Sequence, residues 1–150
     1  MPHKTKIVLT AGLFLFNTIA MAQTCSYDEL DLGSCKLSIG NFSLDLGESD
    51  GDPQPTAWMG PISIGQEHGS TCTVTPDVSI MERPIFSDGK HLMVTTYSGS
   101  HHVVYIIDQK SCNVLWKSEK FWGNVKLHNK MLHMADQQVK LGSDCLPKKK

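Results

Sequence analysis

From Trp58 onward the chain is a succession of short β-prone runs, each broken by turn chemistry before a helical period can establish itself. The runs cover residues 62–64, 72–75, 92–97, 103–107 and 114–116. Asp88-Gly89, Ser98-Gly99 and residues 108–111 stand between them and supply positive φ or side-chain-to-backbone bonding where a chain reverses. Short runs spaced by turns in this way predict an all-β, antiparallel fold.

The strongest pair of runs can be read face by face. Leu92, Val94 and Thr96 alternate with Met93, Thr95 and Tyr97, and Val103, Tyr105 and Ile107 alternate with Val104 and Ile106. Apolar residues fall on both faces, which predicts a central hairpin, covered on two sides, whose turn over residues 98–102 is polar and at the surface. A faint repeat adds to this: Ser-Thr-Cys72-Thr-Val recurs as Lys-Ser-Cys112-Asn-Val, and residues 86–94 recur loosely as 127–134. Both offsets are about 40 residues, the period of a propeller blade. The expectation is antiparallel sheets in a partial, propeller-like stack with a protruding hairpin.

The first residues carry a different message. His3, Lys4 and Lys6 precede an apolar run over residues 7–20 that closes in Ala20-Met21-Ala22, the form of a secretory signal peptide with cleavage before Gln23. Residues 1–22 are therefore expected to be a leader and 23–150 a single β-rich domain, delivered to the periplasm and free of the membrane after cleavage. Loss of Lys4 and Lys6 takes the 14 basic residues to 12 against 15 acidic ones, a net charge of −3 with histidine neutral. That balance argues against a nucleic-acid partner, since phosphate binding needs a basic surface.

Five cysteines, Cys25, Cys35, Cys72, Cys112 and Cys145, follow the leader. In an oxidising compartment they read as disulfides with at least one thiol left over, and about fifteen two-bridge arrangements are open. Residues 23–60 are acidic, with Asp28, Glu29, Asp31, Asp45, Glu48, Asp50 and Asp52 against Lys36 alone, and read as a solvated face around one short edge strand over residues 37–44.

Little in the chain points to catalysis. It has no G-x-S-x-G elbow, and Ser and His adjacent in a turn rarely form a nucleophile–base pair. His91, His101, His102, His128 and His133 show no metal-ligand spacing, so neither a metal nor a cofactor is expected. Trp58, Trp116 and Trp122 read as core and sheet-packing aromatics.

Residues 85–114, IFSDGKHLMVTTYSGSHHVVYIIDQKSCNV, carry Phe86-Ser87-Asp88-Gly89, then Tyr97-Ser98-Gly99-Ser100, then Asp108 four residues before Cys112. The order and spacing resemble the periplasmic immunity proteins that protect bacteria against type VI secreted peptidoglycan amidases of the first amidase effector family. The leader and the placement of Cys25, Cys72 and Cys145 are similar too. The resemblance implies a non-enzymatic, stoichiometric inhibitor that pushes a hairpin turn into the cleft of a papain-like Cys/His amidase. Carried over residue by residue, it puts Tyr97, Ser98, Gly99, Ser100 and His101 at the effector-binding site, with the Ser100 hydroxyl on the effector's catalytic histidine. His101-His102 and Cys35 depart from the pattern. An inhibitor of lysozyme or of another cell-wall hydrolase is the alternative reading, and a small Ser/His hydrolase a third.

Overall fold

A computed structural model describes residues 24–33, 36–51, 53–67 and 69–148. The expected leader and Cys35 lie outside these residues. All regular structure among the described residues is β, in three antiparallel sheets, none closed into a barrel. With strands numbered β1 to β13 in chain order, one sheet runs β2 (Lys36–Ile39), β3 (Phe42–Asp45), β5 (Ser63–Gly65), β6 (Thr71–Thr73). A six-stranded sheet runs β1 (Asp28–Glu29), β7 (Met81–Ser87), β8 (His91–Tyr97), β9 (His102–Asp108), β10 (Val114–Lys117), with β4 (Ala57–Trp58) also on β7. The third sheet is the meander β11 (Val125–His128), β12 (Met131–Met134), β13 (Gln137–Lys140).

The centre of the six-stranded sheet, around β8 and β9, is covered on both faces. Leu92, Val94 and Ile107 pack with Leu44 and Ile64 of the four-stranded sheet and with Trp58, Met81 and Ile85. Phe86, Met93, Val104 and Ile106 pack on the other side with Val125, Leu132 and Met134 of the three-stranded sheet. This is the two-sided burial that the alternation in β8 and β9 requires. Each fully buried Leu, Ile, Val or Met contributes about 1.5–3 kcal/mol relative to exposure, so this pair of strands anchors both cores.

Two cross-links tie the outer sheets to the central one. Cys72 on β6 bonds to Cys112 in the β9–β10 turn. There Gln66 Nε2 also donates to the Gln109 carbonyl at 2.9 Å. Cys25, just before β1, bonds to Cys145, beyond β13, and the Tyr27 hydroxyl donates to the Cys145 carbonyl at 3.2 Å. Burial, with the charges of Asp88 and Asp144 adding to it, raises the Tyr27 phenol well above its ordinary range. The two cysteines that looked like equivalent positions of a repeat are thus partners in one bond. The second pair of repeated segments does correspond to two hairpins, β7–β8 and β11–β12.

The segment read as one edge strand over residues 37–44 is a hairpin instead. Gly40 takes φ +55° and Ile39 pairs with Phe42, so Gly40-Asn41 forms a two-residue turn between β2 and β3. At the other end of β9, the Asp108 carboxylate accepts from the Ser111 amide at 2.7 Å and the Ser111 hydroxyl at 2.8 Å. Burial pushes this carboxyl upward, but the bonds from Ser111 and the Lys110 amide, together with His91, outweigh it and hold Asp108 below the ordinary carboxylate value.

In the chain-entropy account a loop closed across 120 residues contributes up to about 5 kcal/mol and one across 40 up to about 4 kcal/mol. Because the shorter loop is nested in the longer, replacing both pairs by serine should cost less than the sum, read by urea denaturation of single- and double-bridge variants. For Asp108, a lowered folded-state value means its contribution is present above the unfolded-state value and lost as pH falls through the folded one. The stability gap between the wild type and Asp108→Asn should therefore be constant near neutrality and shrink below the ordinary carboxylate range. A gap that widened on acidification would contradict the turn geometry.

Candidate functional site

β8 and β9 pair residue for residue from His91 with Asp108 to Tyr97 with His102. Beyond the last pair the Ser98 amide donates to the His101 carbonyl at 3.1 Å, which leaves Gly99 and Ser100 as a two-residue loop. Gly99 has φ +79°, a left-handed conformation that favours glycine at the tip of the loop. A β-carbon on Gly99 would meet nothing within 4 Å, so backbone conformation and not space reserves this position for glycine. Ser98, Gly99 and Ser100 are exposed, and Tyr97 and His101 are half-buried. The five residues predicted from sequence are thus contiguous at one end of the central sheet.

The two adjacent histidines do different work because neighbours on a strand face opposite ways. His101 carries the tip: Ser100 Oγ lies 2.9 Å from its Nδ1, and Ser98 Oγ lies 3.3 and 3.2 Å from its two ring nitrogens. One oxygen cannot lie along both diverging lone pairs, so Ser100 is the directed partner. In the Nε2–H tautomer the Ser100 hydroxyl donates to the ring and leaves its oxygen free to accept. His102 braces the base. Its Nε2 is 3.2 Å from Glu82 on β7, and its ring sits 5.0 Å from Tyr97 and 5.6 Å from Phe121. His102 Nδ1 is buried without a partner, which assigns the proton to Nε2, facing the Glu82 carboxylate.

Beyond β10 the chain is clamped along β9. The Ser118 hydroxyl accepts from the Val104 amide at 3.0 Å, the Ser118 amide donates to the Val104 carbonyl at 2.9 Å, and His102 and Phe121 exchange backbone bonds of 2.8 and 3.1 Å. A groove of about 380 Å³ follows, with Thr96, Ser98, His101 and Tyr105 among the hairpin residues lining it and Lys117 and Glu119 among those on the clamped segment. Burial raises the Tyr105 phenol, with Asp77 across the groove adding to the effect.

Of the three tryptophans, Trp58 is fully buried and Trp116 packs against the second core, as sequence patterning suggests. Trp122 does not: it is 68% exposed. Its neighbour Phe121 takes the buried place, at 4% exposure. Within a Phe-Trp pair only the tertiary contact with His102 decides which ring goes inward, so the sequence holds no signal for it.

Chemically, the tip offers hydroxyls, backbone groups and an imidazole on a rigid frame. A nucleophile–base pair needs a third group to orient the base, and the hydrogen bonds of His101 among the described residues go to serines. Glu82, the carboxylate at the base of the tip, faces His102, whereas Asp88 and His91 pair at the opposite end of β8. No three His, Cys, Asp or Glu side chains gather into a metal-binding group among the described residues.

Gly99→Ala should destabilise the protein by about 1–2 kcal/mol through the positive φ alone, and Gly99→Asn by less. Urea denaturation reads the difference, and equal stability of Gly99→Ala and the wild type would exclude the turn described. In comparison with known proteins, no family model matches this chain and no curated protein matches it.

Proposed function

We propose that the mature protein is a periplasmic immunity protein that inhibits a type VI secreted peptidoglycan amidase by seating the Ser98-Gly99-Ser100 turn in its Cys/His cleft. The observation that carries this reading is the exposed two-residue turn held by two strands that bury apolar residues on both faces. Such a tip is preorganised, so binding orders little that was mobile. Gly99 brings backbone close to the walls of a narrow cleft. Ser100, with its hydrogen directed at His101, presents an acceptor to the N–H of a protonated catalytic histidine.

Tyr97 and His101 flank the turn and meet the walls of the cleft. The resemblance of residues 85–114 to the immunity family supplies the identity of the partner. Two disulfides fit an oxidising compartment. An antidote that must act before damage accumulates needs nanomolar affinity or better, about −12 kcal/mol.

The test is a titration of the mature domain into Cys/His amidases acting on peptidoglycan fragments, with lysozymes in parallel. One amidase should be fully inhibited at one-to-one stoichiometry. Ser100→Arg should raise the inhibition constant at least about 100-fold, equivalent to about 2.7 kcal/mol. Inhibition of a lysozyme and of no amidase would replace this reading with the lysozyme-inhibitor one.

A further inference from the structure

The hairpin tip is not alone at its end of the sheet. Phe121 pairs antiparallel with His102, so the residue after Phe121 stands level with the residue before His102. Trp122 is thereby level with His101, and Ser98 is paired with His101 on the other side. Three chain segments end together in a short row of Ser98, His101 and Trp122. The segment that carries Trp122 is fixed by backbone bonds to both His102 and Val104, and the buried Phe121 ring lies against His102.

An indole left 68% exposed beside a clamped segment contributes little to the core, because the adjacent Phe121 already fills the core position. Its burial is available to a partner with little backbone ordering, a condition that favours tryptophans as dominant contacts in protein interfaces. The polar tip suits a catalytic cleft. A flat apolar ring beside it suits the rim of that cleft.

We infer that Trp122 is the affinity anchor of the inhibitory surface, buried against an apolar patch on the rim of the same amidase whose cleft receives Ser98 to Ser100. This rests on the proposed amidase inhibition and adds a second contact zone that the family resemblance in residues 85–114 does not include. The tip blocks the chemistry, whereas the indole slows dissociation.

The experiment measures binding of the inhibited amidase by wild type, Trp122→Ala, Trp122→Phe and Ser100→Arg. Trp122→Ala should weaken binding about 30-fold, mainly through a faster off-rate, with Trp122→Phe intermediate and the thermal midpoint of the free protein unchanged. A second readout is independent of affinity: in protein labelled with 5-fluorotryptophan, the fluorine resonance missing from Trp122→Phe should shift on addition of unlabelled amidase. Loss of inhibition in Ser100→Arg with wild-type binding by Trp122→Ala and no shift would overturn the inference and leave the amidase reading standing. Full inhibition by Ser100→Arg would remove the assignment of the hairpin tip to the cleft, and no amidase bound at all would remove the amidase reading; either outcome takes this inference with it.

Discussion

The two-sided burial of β8 and β9 is the constraint on which the remainder of the molecule depends. Leu92, Val94 and Ile107 serve one core while Met93, Val104 and Ile106 serve the other. A strand with one polar face has its register set by alternation, because a one-residue slip exposes apolar side chains. Here a slip would exchange one apolar set for another, and alternation loses that power. Register passes instead to the turns: the Gly99-Ser100 loop at one end, and at the other Asp88, whose carboxylate accepts from the Lys90 amide at 2.8 Å and holds His91 Nδ1 at 2.8 Å. The turn proposed to act on a partner is also the turn that aligns the core.

The outer sheets lean on the central one. Their strands are three or four residues long, and each sheet buries its apolar face against the centre. The disulfides reinforce that dependence, since each joins an outer sheet or its flanking loop to the six-stranded one. Asp52 lies outside the described residues, and of the other acidic residues of the first segment all but the half-buried Asp45 are exposed, as a solvated face requires. Asp50 among them also shapes the chain locally. It accepts from the Thr56 amide and hydroxyl and the Ala57 amide at 2.7–3.2 Å, closing the loop ahead of β4.

Along the hairpin the character changes from apolar to polar. Val94 and Val104 are fully buried, Thr95 and Thr96 bring buried hydroxyls, and Ser98 to Ser100 are exposed. The Thr96 hydroxyl donates to the Val103 carbonyl at 3.3 Å, so the transition is accommodated inside the strand pair. This gradient lets a rigid element end in a tip that carries hydrogen-bonding groups. A loop of similar composition without the buried strands beneath it would have to be ordered on binding.

Much of this was legible in the residues. Period-two alternation and turn chemistry are local properties, so the all-β class, the central hairpin and the exposed Ser98-Gly99-Ser100 turn were readable without a structure. The Gly40-Asn41 turn was missed because a polar position in an alternating run looks the same whether the strand continues or reverses. Connectivity among Cys25, Cys72, Cys112 and Cys145 was not readable, because it depends on which loops the packed sheets bring together. Likewise Phe121 and Trp122 are interchangeable aromatics in sequence. Only the bridge from Phe121 to His102, made once β9 is packed, turns one ring into the core and leaves the other in solvent beside the tip. Sequence determined what each segment can form by itself; tertiary structure decided which segments meet, since that choice depends on surfaces that exist only after the central sheet is covered.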